Sequence, residues 1–345
     1  MITLSPLGEG THMKRLVALA VAAGMTWLGV IGAGASAQAV VPGASGRILF
    51  TRAICSSDAR RCWEIVAADP DGDHETLIAG PYRRKVWDDH FIANWSPDGK
   101  TVIFMAKLGR KQEIWEVNAD GTGLHAIWSP PNDESGIDDG PAFTPDGRHI
   151  IFTRCCPKPS GYGLWRINAD GSRLRVVTRE VAGGPNVDGP SDNLPQVSPD
   201  GRLITFNRNV VTCSDPSDCG NRIVTVNIHG GNRVDLTDPS LGNADTPNWS
   251  PDSKRIVFSW FPFDGPSGVV TTNADGSGFT QLTFNTTREF SAFASYSPDG
   301  TKIIFTRCPS TGSCDLFTMN PDGSGLSKVT RTASDELWPQ WAADA

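Results

Sequence analysis

The 345-residue chain contains no GxSxG turn, no CxxC pair and no grouping of its six histidines. The first absence removes the signature of an α/β-hydrolase serine, and the other two remove the simplest zinc and dithiol sites. Positive charge is also short: 31 Lys and Arg stand against 38 Asp and Glu, a net charge of −7 with no basic cluster. Such a balance argues against nucleic acid or anionic lipid as a partner. No apolar run spans a bilayer comfortably, since the best one, from Leu16 to about Ile31, is short and glycine-rich. With Lys14-Arg15 before it and Ala35-Ser36-Ala37 and Ala37-Gln38-Ala39 after it, residues 1–39 read as a secretory signal region, with Met13 as an alternative start. No cysteine stands at the cleavage region to carry a lipid.

What the chain has in quantity is turn residues, 36 Gly and 25 Pro. They fall in a repeat. Tyr296 to Arg307 reads YSPDGTKIIFTR, and its relatives begin at Trp95, Phe143, Val197 and Trp249, at separations of 48, 54, 52 and 47 residues. That periodicity marks stacked β-units. In Ser297-Pro298-Asp299-Gly300, proline presets φ, aspartate caps the backbone and glycine takes φ > 0 before the chain reverses. Ile303-Ile304-Phe305 is apolar at successive positions, as suits a strand covered on both faces. A second hairpin follows in each unit, as in Leu164 to Gly171 (LWRINADG), Leu316 to Gly323 and Ile114 to Gly121, and then a fourth short strand such as Leu174 to Thr178. Four antiparallel strands make a propeller blade.

The termini supply a sixth blade. Gly46 to Arg52 is a second strand with no first strand before it, while Trp338 to Ala345 (WPQWAADA) is a first strand on period with no second after it. The expected fold is therefore all-β: a six-bladed propeller over residues 40–345, closed by the C-terminal strand joining the N-terminal blade, about 51 residues per blade.

Eight cysteines in an exported chain point to disulfides. Cys55 and Cys62, Cys213 and Cys219, and Cys308 and Cys314 each flank the loop between second and third strands of a blade, and are expected to pair. Cys155 and Cys156 are adjacent; a vicinal bridge, free thiols and a metal site all remain open for them.

Because the strands run up and down, the SPDG and NADG turns emerge on one face, and the second-to-third loops and blade crossings on the other. Length varies on the second face, over Gly80 to Ala93, Ser129 to Gly140, Arg179 to Leu194 and Arg208 to Asn221. A uniform side and a diverse side are how propellers present a binding surface. The crossings enter the inner strands through Asp88, Asp89 and His90; Asp138 and Asp139; Asp192 and Asn193; Asp245; Glu289; and Asp335 and Glu336. Two readings are open: carboxylates converging on the channel to focus negative potential on a cation, sugar or basic peptide, or aspartates capping loops and bonding the neighbouring blade. Trp87 and Trp128, in or beside crossings, are candidates for ligand contact, whereas Trp95, Trp115, Trp165, Trp249 and Trp341 recur at strand positions and belong to the core. Asp69-Pro70-Asp71-Gly72-Asp73 resembles a calcium loop but lacks its spacing and its glutamate, so it is read as a turn.

WSPDG at 95, FTPDG at 143, VSPDG at 197, WSPDS at 249 and YSPDG at 296, each with its IIFTR-type strand and NADG-type hairpin, resemble the repeats of the TolB-like (PD40, WD40-like) β-propellers of bacterial envelopes. The resemblance implies the fold and an envelope role through protein contacts. The α/β domain that precedes the propeller in TolB has no counterpart between the signal and the first strand. Two functions follow as expectations. One is a monomeric, exported, non-catalytic propeller, without cofactor or metal and outside the membrane once its signal is removed, binding a protein or glycan through the loop-rich face. The other is a stand-alone carbohydrate lyase or hydrolase that uses His90 and neighbouring acids at the channel.

Overall fold

The computed structural model describes residues 45–54, 63–80, 93–108, 111–130, 138–154, 163–178, 191–210, 220–286 and 288–343. The signal region, Cys55, Cys62, Cys155, Cys156, Cys213 and Cys219 lie outside them. The described residues form six sheets of four antiparallel strands, each ordered from an inner to an outer strand; numbered along the chain, blades 2 to 6 have their strands within Ala93–Trp128, Asp138–Val176, Ser191–Asp235, Gly242–Gln281 and Phe290–Lys328. Blade 1 is built from both ends of the chain: its inner strand Glu336–Ala343 pairs antiparallel with Ser45–Ala53, placing Ile48 opposite Trp341 and Arg52 opposite Glu336. The expected closure is thus observed.

Successive apolar residues in the second strands serve opposite seams. In Ile303–Cys308, Ile303 and Phe305 pack with Val257 and Val269 of blade 5, while Ile304 between them packs with Ile48, Phe50 and Trp341 of blade 1. All three are fully buried. Alternate Cβ atoms point to opposite faces of a strand, so a strand between two seams must be apolar at every position. Trp95, Trp249 and Trp341 lie in the core as expected; Trp115 and Trp165, on third strands, are half-buried.

The two turn types are held differently. In the SPDG turn, Ser297 Oγ donates to Asp299 Oδ1 at 2.6 Å and accepts from Lys302 N at 2.9 Å, while Asp299 Oδ1 accepts from Thr301 N at 3.0 Å. The same three bonds recur at Ser96, Ser198 and Ser250, so each turn closes locally, with one bond between neighbouring turns from Asp200 N to Ser253 Oγ at 3.1 Å. The NADG turn leans on its neighbour: a Cβ on Gly171 would stand 1.7 Å from Ile127 O of blade 2, and one on Gly230 2.0 Å from Val177 O of blade 3. Glycine there permits both a left-handed φ and blade-to-blade approach.

Candidate functional site

The inner strands are interrupted at one station. Pairing slips between Asp139 and Ala142, Asn193 and Gln196, Asp245 and Asn248, and Ala292 and Ser295. At each slip one residue takes a positive φ: Gly140 (58°), Leu194 (60°), Thr246 (54°) and Phe293 (59°), with Trp338 (58°) at the same place in blade 1. These are bulges, and in most of them a proline that cannot donate to a ladder follows directly: Pro141, Pro195, Pro247 and Pro339. A bulge re-aims side chains, and here it does so on the strands that line the axis.

Just above the bulge, Asn193 and Asp245 occupy equivalent positions, opposite Asn207 and Ser259. Asp139 shares that backbone position, opposite Thr153, its side chain lying outside the description. Asp245 is half-buried. Its Oδ1 accepts from Asn207 Nδ2 at 2.8 Å and from Thr246 N at 2.8 Å, and its Oδ2 accepts nothing among the described residues. The open side of an innermost strand is the channel. Partial solvent contact inside a crowded passage desolvates the charge, and burial pushes this carboxyl up to about 6 despite its two donors.

Below the bulge lies a polar ring that the sequence reading did not single out: Asn94, Gln196, Asn248, Ser295 and Gln340, all buried. Asn94 Nδ2 donates to Pro141 O of the next blade at 2.6 Å. Both amide atoms of Gln196 and both of Asn248 have no hydrogen-bond partner among the described residues. The repeated mid-strand proline was the signal that could have located bulge and ring together.

Among the other nominated residues, Asp192, Asp335, Glu289 and Trp128 have partners within the fold. Asp192 is fully buried, accepting from Arg208 Nη1 at 2.9 Å and from Thr178 Oγ1 at 2.8 Å. Thr178 also accepts from Leu164 N at 2.9 Å, so it ties the outer strand of blade 3 to its third strand and to blade 4. Asp335 Oδ1 accepts from Cys314 N at 2.9 Å while its carbonyl accepts from Ala53 N at 2.9 Å, which stitches blade 6 to blade 1. Glu289 pairs with Arg307 at 3.4 Å. Trp128 is buried against Phe152 under the Arg154 guanidinium, a core position. Asn193 remains half-buried at the bulge station, its Nδ2 donating to Ser191 Oγ at 3.0 Å. Trp87, Asp89 and His90 lie outside the described residues. Cys308 and Cys314 form the expected disulfide.

On the loop-rich face, blade 5 carries exposed apolar side chains. Leu241 (62% exposed) precedes its inner strand, Phe263 (60%) follows its second strand, and Phe284 (66%) lies in the crossing to blade 6. Phe263 N donates to Leu241 O at 3.2 Å, which sets these two residues side by side. Beneath them Phe261 stacks on Phe290 at 5.8 Å, and Phe290 meets Phe293 at 5.7 Å. An aromatic file therefore runs from rim to bulge.

Six four-stranded blades closed by the two termini define a six-bladed β-propeller. In fold it is similar to TolB propellers. No family model matches the chain. Over 174 residues it is 28% identical to an uncharacterized protein of Agrobacterium fabrum, the match covering 49% of this chain and 55% of that one. Over 135 residues it is 26% identical to the Tol-Pal system protein TolB of Anaeromyxobacter dehalogenans, covering 39% of this chain and 28% of the other. The chain thus spans about half, or less, of the length of these curated relatives. Among solved structures, TolB from Acinetobacter baumannii superposes with a TM-score of 0.68 at 19% identity, over 87% of this chain and 67% of that one. That likeness is one of fold.

Proposed function

We propose that the chain is an exported propeller that binds a protein partner through its loop-rich face and performs no chemistry of its own. The observation that carries this reading is the exposure of Leu241, Phe263 and Phe284 on the variable loops of blade 5. Large apolar side chains standing in water on a folded surface mark a contact site, and phenylalanines supported by a stacked layer present that area at little entropic cost. The remaining exposed large apolar residues on blades 3 to 6, Val176, Val234, Phe279 and Leu326, sit on or beside outer strands. The Cys308–Cys314 disulfide supports an oxidising compartment. The similarity to a protein named for the Tol-Pal system supports an envelope setting.

A paired comparison tests the reading. The wild-type chain and a Phe263→Ser/Phe284→Ser variant of equal melting temperature are used as bait in envelope extract and on a glycan array. Retention of a protein by the wild type, with roughly tenfold or greater loss in the variant, is expected, since central aromatic contacts commonly carry more than 1.4 kcal/mol. Equal recovery by both baits overturns the proposal, and variant-sensitive binding confined to the array assigns the face to sugar instead.

A further inference from the structure

We propose that the channel entrance beside blade 5 receives a cationic side chain from an extended segment of the protein partner, at Asp245, while an apolar side chain of the same segment rests on Leu241 and Phe263. This names the partner's chemistry and rests on the reading that the loop-rich face binds protein.

The inner and second strands of blade 5 lay three pairs in a line from the rim inward. At the rim stand Leu241 and Phe263, next come Asn243 and Phe261, and then Asp245 and Ser259. Four residues of strand separate Leu241 from Asp245, about 13 Å at the rise of extended chain. An extended segment running down this line meets an apolar surface first and a carboxylate about four residues later.

The carboxylate fits a cation. Its Oδ1 is occupied by two donors and its Oδ2 by none, and no lysine, arginine or histidine pairs with it among the described residues. Burial already disfavours its charged form, and an incoming positive charge offsets that cost. An anion would meet like charge on a chain of net −7. A divalent metal needs more anionic ligands than one carboxylate, and no three His, Cys, Asp or Glu gather as a metal site among the described residues. The open Oδ2 of Asp245 accepts from any N–H donor that reaches it. A primary ammonium or guanidinium carries several such donors, which a neutral hydroxyl does not.

The test uses a phage-displayed random peptide library selected on the full exported chain, with Asp245→Asn and Phe263→Ser as parallel baits of matched melting temperature. Selection on the wild type should enrich Lys or Arg about four positions from an aromatic or aliphatic residue, the spacing set by strand rise. A synthesised winner should bind Asp245→Asn about tenfold more weakly, and replacing its basic residue by norleucine should cost the same on the wild type and little more on the variant, a double-mutant cycle. Winners without the basic residue, or with equal affinity for Asp245→Asn, overturn the cation site. If Phe263→Ser still weakens those peptides, the reading of the face survives; if neither variant weakens them, it fails as well. Absence of any enrichment overturns the proposal.

Discussion

Asp245 ties the charge at the channel to the stability of the ring. Its folded pKa of about 6 lies above the value of about 3.9 for an unfolded aspartate, so the folded state holds its proton more tightly. The group therefore opposes folding least below about pH 4, and stability is lost as pH rises from there through about 6, with the full cost present above. Asparagine keeps an Oδ1 acceptor for Asn207 and for the Thr246 amide, and has no charge to desolvate. Asp245→Asn should raise the melting temperature at pH 7.5 by a few degrees, corresponding to at most about 3 kcal/mol, and the gain should vanish toward pH 4. Thermal melts of both proteins across that range check it. A variant less stable than the wild type at pH 7.5 would mean that the carboxylate is already paired. The same substitution should weaken partner binding, so a residue that costs stability and aids binding fits a site kept for function.

At the scale of strands and turns, the repeat makes its own controls. Gly201 in a SPDG turn and Gly171 in a NADG turn have similar positive φ values, 72° and 79°. A Cβ at Gly201 meets nothing within 4 Å, whereas one at Gly171 overlaps Ile127 O. Gly201→Ala should cost about 1 kcal/mol, the backbone cost alone, and Gly171→Ala about 3 kcal/mol or more because two blades must part. Urea melts giving equal losses would show that the blade contact is slack. These turns were legible in the sequence because their chemistry is local: Ser, Pro, Asp and Gly satisfy one another within a few residues. The inner strands were not, because their geometry is set by neighbours. Crossing acids were read there as one class, yet Asp192 is locked to Arg208 and Thr178 while Asp245, in the next blade, is left with an open oxygen. The two acids stand one register step apart: Asp192 lies opposite Arg208, whereas Asp245 takes the position that Asn193 holds in blade 4 and lies opposite Ser259. Sequence marks an acid at a crossing; only register assigns its partner. The rim of Leu241, Phe263 and Phe284 escaped notice for a related reason, since phenylalanine in a β-rich chain reads as core until its exposure is known.

For the whole molecule, closure concentrates on one arginine. Arg52, on the second strand of blade 1, donates through Nε and Nη2 to Glu336 Oε1 of the C-terminal strand at 3.0 and 2.9 Å. It also bonds Glu75 of the outer strand's approach and lies 3.5 Å from Glu64 of the third strand. One side chain therefore spans a sheet assembled from both termini. Its two acidic partners differ: Arg52 holds the Glu75 carboxyl below its ordinary range, whereas burial raises that of Glu336 in spite of Arg52 and its threonine donors. The Glu336 side chain is wholly enclosed. Removing the arginine strands a buried carboxylate, while removing the carboxylate leaves an arginine that still has Glu75 and Glu64. Arg52→Leu should thus cost about 3–5 kcal/mol at pH 7.5, and Glu336→Gln less than half as much. The sign of the pH effect separates this from lost packing: without Arg52 the Glu336 pKa rises further, so the Arg52→Leu deficit should shrink as pH falls toward 5 and the carboxyl protonates. Urea denaturation of the three proteins at both pH values decides it. A deficit for Arg52→Leu that is independent of pH, or one smaller than that of Glu336→Gln, would place the hold on the closing strand in the apolar seam of Ile48, Phe50 and Trp341 instead of in the ion pair.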